Sequence, residues 1–270
     1  MFLGIEIGGT KLQLGLGQGD GRITCLWRDT VDVAAGGEGI RRRIVTAVPE
    51  LLAQADLSLQ QLSGIGVGFG GPVDDATQST IKSHQIDGWD AIPLAAWLTE
   101  QFGLAAALGN DADVAGLAEA LFGAGKGLSP IFYITIGSGM GGGLIVEQKI
   151  YRGCGRGAAE IGHLRVPYRG SRVPLEDVAS GWGIEKLARA AGQSWTAKEV
   201  GDRAAVGDPA AQAILAEAWE QLAEAICQVI ALLCPKRIVI GGGVSLVGEK
   251  VLMETVVPGR SIATMLPTAS

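Results

Sequence analysis

The chain has 270 residues, 47% of them hydrophobic and 19% charged, which is the composition of a folded globular protein rather than a disordered one. A formal net charge of −6 argues against nucleic acid or an anionic membrane surface as its partner. With no visible signal peptide, no apolar run of roughly 20 residues and four cysteines without a C-x-x-C pair, the sequence predicts a reduced cytoplasmic protein.

A glycine-rich turn interrupts the first pair of apolar strands. Residues 2–33 predict two or three antiparallel strands, and Gly8-Gly-Thr-Lys11 joins the first two. Consecutive backbone N–H groups in such a turn form a concavity that binds phosphate. Most glycine-rich hairpins are only tight turns, so this one alone leaves both interpretations open.

Helices and strands then alternate up to residue 122. The pattern predicts a helix over 38–55 that Pro49 kinks or divides, a strand over 65–69, a helix over 93–102, a buried strand over 104–108 and a helix over 111–122. Asn110 and Asp111 stand where that last strand turns into the helix. Asn and Asp are preferred N-caps, so the pair predicts helix capping, a role compatible with chemistry at a strand end.

A second glycine-rich hairpin occupies residues 131–146. Its turn, Gly137-Ser-Gly-Met-Gly-Gly142, contains a G-x-G-x-x-G string, but strand residues follow it instead of the helix that a dinucleotide fingerprint requires. Asp208-Pro209 predicts the start of a helix that runs to about residue 233. Its Cys227 and the adjacent Cys234 are expected to be inert core thiols. A last strand, residues 237–240, ends in Gly241-Gly-Gly243.

The second half of the chain repeats the plan of the first. Both halves open with a glycine-rich hairpin and continue with strands and a helix, so the sequence predicts two α/β lobes, residues 1–110 and 111–270. This arrangement matches the actin–hexokinase (ribonuclease H-like) architecture. In that architecture two lobes built on mixed sheets hold ATP and sugar in the cleft between them.

Motifs spread over roughly residues 3–250 give the chain a resemblance to the ROK family (repressors, open reading frames and kinases), and specifically to its sugar kinases. The segment Gly4-Ile-Glu-Ile-Gly-Gly-Thr-Lys11 resembles the first phosphate motif of the family, Ile134-Thr-Ile-Gly-Ser-Gly-Met-Gly-Gly-Gly143 the second, and Ile238-Val-Ile-Gly-Gly-Gly-Val-Ser245 the adenosine-side motif. Three more motifs stand between these in family order: Gly71-Pro-Val-Asp74, Gly109-Asn-Asp-Ala112 and Glu160-Ile-Gly-His163.

The resemblance implies an ATP-dependent kinase that phosphorylates a hexose, at the 6-hydroxyl of glucose or of a related sugar. Asp111 would be the general base that accepts the hydroxyl proton. The sugar hydroxyls would be held by four side chains: Asn110, Glu160, His163 and Glu176. ATP would be bound by three glycine-rich turns: Gly8, Gly9, Thr10 and Lys11; Gly137, Ser138 and Gly139; and Gly241, Gly242 and Gly243. Glu6 would contact Mg²⁺ through water, since Mg²⁺ keeps most of its waters.

The sequence departs from the family at a zinc site. Many members bind a structural zinc with the His of the Glu160–His163 motif and three cysteines just downstream, whereas residues 165–175 contain no cysteine here. Cys154 stands alone before that motif, and one Cys with one His cannot complete a four-coordinate site, so we expect no zinc. Residues 258–270 are short and turn-rich where relatives continue through a strand and a helix.

Several alternatives remain open from the sequence. One is a sugar- or nucleotide-binding family member with little or no kinase activity. Another is a sugar-sensing repressor, which would need a helix-turn-helix before the first strand. The acidic net charge argues against the DNA binding that a repressor requires. Polyphosphate is an alternative phosphoryl donor. The resemblance also allows a homodimer and places His84 near the sugar. Arg152 fits either surface charge or an anchor of the sugar-binding loop.

Overall fold

The computed structural model describes residues 1–83, 85–154, 157–245, Leu252 and Val256, so His84 and residues 258–270 lie outside the described part. The strands, in chain order, are β1 (Phe2–Ile7), β2 (Lys11–Gly17), β3 (Ile23–Thr30), β4 (Gly64–Phe69), β5 (Val73–Asp74), β6 (Ser79–Thr80), β7 (Ala106–Asn110), β8 (Ile131–Ile136), β9 (Met140–Val146), β10 (Lys149–Ile150), β11 (Arg165–Tyr168), β12 (Ser171–Pro174) and β13 (Arg237–Gly241). The α-helices are α1 (Gly36–Gln54), α2 (Leu94–Phe102), α3 (Asp111–Leu121), α4 (Glu176–Ala179), α5 (Gly181–Ala190), α6 (Ala197–Ala205) and α7 (Pro209–Leu233). Short 3₁₀ helices occur at Val33–Ala35, Leu59–Gln61 and Ile161–His163.

The chain divides into two compact units. The first contains Met1–Gly127 and Gln148–Ala158, and the second contains Leu128–Glu147 and the chain from Ala159 onward. The chain therefore enters the second unit after Gly127, returns to the first for eleven residues (Gln148–Ala158) and then re-enters the second. The lobes expected from the sequence, residues 1–110 and 111–270, stay a prediction. No helix within the described residues is long and apolar enough to cross a membrane.

The first unit is built on a mixed sheet with strand order β3-β2-β1-β4-β7. The strands β1, β2 and β3 pair antiparallel, as the sequence predicts for residues 2–33, whereas β1, β4 and β7 run parallel. Alternation in β1 buries Leu3, Ile5 and Ile7 on one face of the sheet. The helix α1 contributes a buried stripe to the same core and continues through Pro49 as one helix.

Parallel pairing brings three strand ends to one edge of this sheet. Ile7, the last residue of β1, is paired with Phe69 of β4, and Phe69 is paired with Asn110 of β7. The segments that follow these strands therefore begin side by side, at the carboxyl edge where open α/β sheets place their ligands. The strand β7 begins at Ala106 rather than at the predicted residue 104 and includes Asn110.

In the second unit, β8 lies between antiparallel β9 and parallel β13. The long helix α7 begins as predicted, with Asp208 Oδ1 accepting hydrogen bonds from the Ala210 and Ala211 N–H groups. Its core stripe includes Leu215, Leu222, Ile226 and Val229. The prediction that the cysteines near the helix end are core thiols is wrong for Cys234, which is exposed just beyond the last residue of α7 and caps the helix with left-handed backbone. Cys227 is only partly buried.

Candidate functional site

The carboxyl edge of the first sheet places Asp111 beside the first glycine-rich turn. The Gly70 N–H donates a hydrogen bond to the Ile7 carbonyl at 2.8 Å, which ties the chain after β4 to the end of β1. A Cβ atom on Gly70 would lie 3.4 Å from Asp111 Oδ2 and 3.5 Å from Gly8 Cα. The Asp111 carboxylate thus lies over Gly70 and next to Gly8. Three motifs far apart in sequence meet at this point.

Asn110 is the N-cap of α3. Its Oδ1 accepts hydrogen bonds from the Ala112 and Asp113 N–H groups at 3.0 and 3.2 Å. Its Nδ2 donates to the Gly71 carbonyl at 3.1 Å, which fastens the helix start to the segment after β4. The predicted capping is confirmed. A contact with a sugar hydroxyl, for which the amide carries a second hydrogen, stays a prediction.

The first turn offers mainly backbone to a ligand. The Gly8 N–H donates to the Lys11 carbonyl at 3.0 Å and closes the turn, while Thr10 and Lys11 are exposed. The Gln85 carboxamide lies directly over Gly9, so a side chain at position 9 would collide with it. Sequence analysis missed this contact because nothing in the pattern around Gln85 relates it to the turn.

Glu6 lies on the exposed face of β1, opposite Gln13 of β2. Gln13 Nε2 donates to Glu6 Oε2 at 2.7 Å, and Gln13 Oε1 accepts a hydrogen bond from Arg28 Nε at 2.6 Å. Within the described residues, no group of three or more His, Cys, Asp or Glu side chains forms a ready metal cage. A single exposed carboxylate still fits Mg²⁺, which is held by one or two carboxylates, waters and substrate phosphates.

Arg152 forms an ion pair with the first turn of α3. Its Nη1 lies 2.7 Å from Asp75 Oδ1 and 3.6 Å from Asp113 Oδ2, and Asp113 is buried two residues after Asp111. Because a buried carboxylate requires a compensating charge, Arg152 stabilises the helix start that carries Asp111. The structure gives Arg152 a role that the sequence did not suggest, because its partners lie at the start of α3 and after β5.

The second glycine-rich turn is fixed by the start of α5. The Gly181 N–H donates to the Gly137 carbonyl at 2.8 Å, and the Trp182 N–H donates to the Ser138 carbonyl at 3.1 Å. In trans peptides the next N–H points opposite to the carbonyl. The Ser138 and Gly139 N–H groups therefore point away from α5, as an anion-binding turn requires.

The third glycine segment, Gly241–Gly243, reaches the same region of the second unit. Gly242 has a φ of +88°, and a Cβ atom there would lie 2.4 Å from the Ile136 carbonyl oxygen, so only glycine fits. The Val244 N–H donates to that carbonyl at 2.9 Å. A Cβ atom on Gly181 would lie 3.4 Å from Val244 Cγ2, so the second turn, the start of α5 and the third glycine segment contact one another.

Two of the residues predicted to bind sugar, His163 and Glu176, lie close together in the second unit. His163 Nε2 is 3.8 Å from Glu176 Oε1, and Glu176 Oε2 lies 3.4 Å from the position of a Cβ atom on Gly139. Glu160 immediately precedes the 3₁₀ helix that ends at His163. Part of Glu160 is exposed to solvent, but protein atoms surround its carboxyl group, and this partial burial raises its pKa. Two further effects act on the same pKa: His163 lowers it and the charge of Glu176 raises it.

The residues here do not fit the zinc that the family resemblance implies. The segment between His163 and Glu176 is a paired hairpin of β11 and β12, and residues 164–175 contain no cysteine. Thiolates are the ligands that a structural zinc takes alongside histidine, and this hairpin offers none. The expectation of no zinc stays a prediction.

Comparison with known proteins identifies relatives along most of the chain. The model of the ROK family matches residues 2–265. A glucokinase of Halalkalibacterium halodurans is 32% identical over 93% of this chain and 82% of its own length, and a glucokinase of Thermotoga maritima is 30% identical over 92% and 83%. A crystal structure of a ROK family glucokinase from Streptomyces griseus, in complex with glucose and AMPPNP, aligns with a TM-score of 0.79 at 28% identity, covering 100% of this chain and 90% of that one.

Proposed function

The chain belongs to the ROK family, and from that membership we propose that it phosphorylates a hexose hydroxyl with ATP, using Asp111 as the general base. It is a sugar kinase with the two-lobed actin–hexokinase-like fold of the ROK sugar kinases. We propose glucose as the first substrate to test, because the relatives named above are glucokinases. The 6-hydroxyl is the expected site of transfer.

The observation that carries the role of Asp111 is its position over Gly70, beside Gly8 of the first glycine-rich turn. Its Oδ1 accepts a hydrogen bond from the Ala112 N–H at 2.8 Å, which orients the carboxylate at the start of α3. In the proposed reaction the sugar oxygen attacks the γ-phosphorus as the bond to the bridging oxygen of ADP breaks. The hydroxyl proton passes to Asp111.

The proposed sites for nucleotide and sugar follow the same reasoning. The N–H groups of Ser138 and Gly139 supply donors for phosphate oxygens. Glu176, which lies near Gly139 and His163, supplies an acceptor for sugar hydroxyls beside them. Mg²⁺, when bound with ATP, would reduce the negative charge on the phosphates, and Glu6 would hold it through water. Use of ATP also supports a cytoplasmic enzyme, and we retain the homodimer as a proposal.

The test is steady-state kinetics of Asp111→Asn in a coupled ADP-release assay. Asparagine keeps an oxygen for the Ala112 N–H but cannot take the proton, so kcat should fall by about 10²- to 10⁴-fold, with KM for glucose within about threefold. Asp202→Asn, which changes an exposed carboxylate of α6, is the control and should behave as wild type. An Asp111→Asn enzyme with wild-type kcat would exclude the proposed base.

A panel of hexoses and N-acetylhexosamines, each with ATP and with polyphosphate, identifies the substrates. Phosphorylation of at least one sugar with ATP is the expected result. If the wild-type protein binds ATP and yet phosphorylates no sugar in the panel, it is a binding protein and the proposed function is wrong. Transfer only from polyphosphate would keep the sugar site and replace the donor.

A further inference from the structure

The hairpin of β11 and β12 is the covalent link between His163 and Glu176. The 3₁₀ helix ends at His163, the hairpin occupies residues 165–174, and α4 begins at Glu176. The Leu175 N–H donates to the Leu164 carbonyl at 2.8 Å, which closes the base of the hairpin immediately beside both side chains. Any tilt of the hairpin would therefore change the separation of the two residues.

One face of the hairpin is packed into the core of the second unit. Val166 and Val173 are paired across the two strands; Val166 is fully buried and Val173 packs against the core. Leu175 is also fully buried, and β11 contacts α7. This packing holds one face of the hairpin on the core, and a further contact at the tip is needed to prevent the hairpin from tilting.

Glu217 of α7 fixes the tip. Its Oε1 accepts hydrogen bonds from Tyr168 Oη at 2.8 Å and from Arg169 Nε and Nη2 at 3.1 and 2.8 Å. The Arg169 guanidinium also lies 5.1 Å from the centre of the Tyr168 ring. Burial, followed by the hydrogen bond to Glu217, raises the pKa of Tyr168 to about 12, in agreement with a protonated phenol that donates to Glu217.

The backbone at the tip agrees with a fixed position. The two-residue turn consists of Arg169, with a φ of +46°, and Gly170, with a φ of +81°. Such turns favour asparagine or glycine at both positions, and arginine is disfavoured in left-handed backbone. Arg169 nevertheless occupies this position, and its side chain there reaches Glu217.

We propose that the β11–β12 hairpin, held on α7 by Glu217, positions His163 and Glu176 for the sugar in place of a structural zinc. The inference rests on the proposed function, because it assigns the two side chains to sugar binding. Glu217, Tyr168 and Arg169 are positioning residues, which act through the hairpin and do not touch the substrate. It follows that sugar affinity is independent of zinc and depends on the Glu217 contacts.

The first test is glucose binding by calorimetry and steady-state kinetics of Glu217→Gln and Tyr168→Phe. Either variant should raise the glucose Kd and KM by about two- to thirtyfold, with kcat at saturating glucose and KM for ATP within about twofold. In the double variant, the loss of glucose-binding free energy should be smaller than the sum of the two single losses and close to that of Glu217→Gln. The reason is that both changes break the same hydrogen-bond network. Glu220→Gln, an exposed change on the same helix, is the matched control and should leave all four values unchanged.

A second measurement needs no sugar and keeps the inference separate from the proposed function. Hydrogen exchange of the unliganded protein should be faster over residues 164–176 in Glu217→Gln and unchanged in Glu220→Gln. Faster exchange with an inactive wild-type enzyme would support the fixed hairpin and reject the kinase function. Unchanged exchange, or an unchanged glucose Kd in an active Glu217→Gln enzyme, would overturn the inference.

Metal analysis completes the test. The purified protein should contain no stoichiometric zinc, and a zinc-selective chelator should leave the glucose Kd unchanged in calorimetry without nucleotide. One zinc per chain, together with a higher glucose Kd after chelation, would show that a metal holds the site and would overturn the inference.

Discussion

Glu160 is the carboxyl group whose ionisation should appear in the kinetics. Partial burial raises its pKa above the ordinary 4.5. If ionised Glu160 accepts hydrogen bonds from sugar hydroxyls, kcat/KM for glucose should fall as pH decreases, with an inflection above pH 4.5. Glu160→Gln should lower kcat/KM at neutral pH and lose that acid limb, whereas Glu220→Gln should keep it.

The raised pKa of Glu160 also makes the stability of the folded protein depend on pH. A carboxyl group with a raised pKa stabilises the folded protein in its protonated form, so its contribution is complete below its unfolded-state pKa and is lost as pH rises through the raised value. In urea unfolding the wild type should therefore lose stability relative to Glu160→Gln as pH increases through that range. If the decrease of kcat/KM for glucose at low pH persists unchanged in Glu160→Gln, its inflection belongs to another group.

The third glycine segment depends on the close approach of Gly242 to β8. Alanine at this position would carry left-handed backbone and would collide with the Ile136 carbonyl. Overpacking of this kind costs about 1–3 kcal/mol, or about 5- to 150-fold in ATP affinity if the loop must shift to relieve it. Titration with AMPPNP should show this loss in Gly242→Ala, with glucose affinity nearly unchanged.

Gly207→Ala is the control that separates the effect of left-handed backbone from the effect of the collision with Ile136. Gly207, between α6 and α7, also has a positive φ of +91°, but a Cβ atom there meets no described atom within 4 Å. Gly207→Ala should lose about 1 kcal/mol of stability through its backbone conformation and keep wild-type affinity for AMPPNP. Equal AMPPNP affinities of Gly242→Ala and wild type would contradict the proposal that the third glycine segment binds the nucleotide.

Elements with strong local signals were predictable from the sequence. The alternation of Leu3, Ile5 and Ile7 predicts β1, and the Asp208-Pro209 cap predicts the first residue of α7. The helices α5 and α6 and the β11–β12 hairpin were not predicted. The start of α6 carried a readable signal, since Thr196 and Glu199 form a capping box that sequence analysis overlooked. The other two signals are weak: α5 begins with Gly-Trp-Gly, and the hairpin turn has arginine where asparagine or glycine is usual.

Candidate site residues were predictable where a glycine or a strand end marked them. Asn110 and Asp111 stand at a strand–helix junction whose capping the structure confirms. The contacts of Gln85 with Gly9, of Arg152 with Asp113 and of Glu217 with Tyr168 were not predictable, because each joins residues separated by 39 to 76 positions without a local pattern. Tertiary packing alone brings such pairs together.

The two units have separate hydrophobic cores. One cluster of buried residues includes Leu14 and Ile44 of the first unit, and the other includes Leu215 and Ile134 of the second. The chain nevertheless crosses between the units three times, and Arg152 belongs to a short segment that the first unit takes from the middle of the second. Separate cores favour local unfolding of each unit, whereas repeated crossings favour a single cooperative transition.

Hydrogen exchange of two matched core variants decides between these behaviours. Leu14→Ala and Leu215→Ala each remove a fully buried leucine and should each cost about 2–5 kcal/mol. If the cores unfold separately, Leu14→Ala should lower protection in Met1–Gly127 and spare α7, and Leu215→Ala should do the reverse. We expect this pattern because neither cluster shares a buried residue with the other. Equal loss of protection in both units from either variant would show that the crossings dominate and that the molecule unfolds as one.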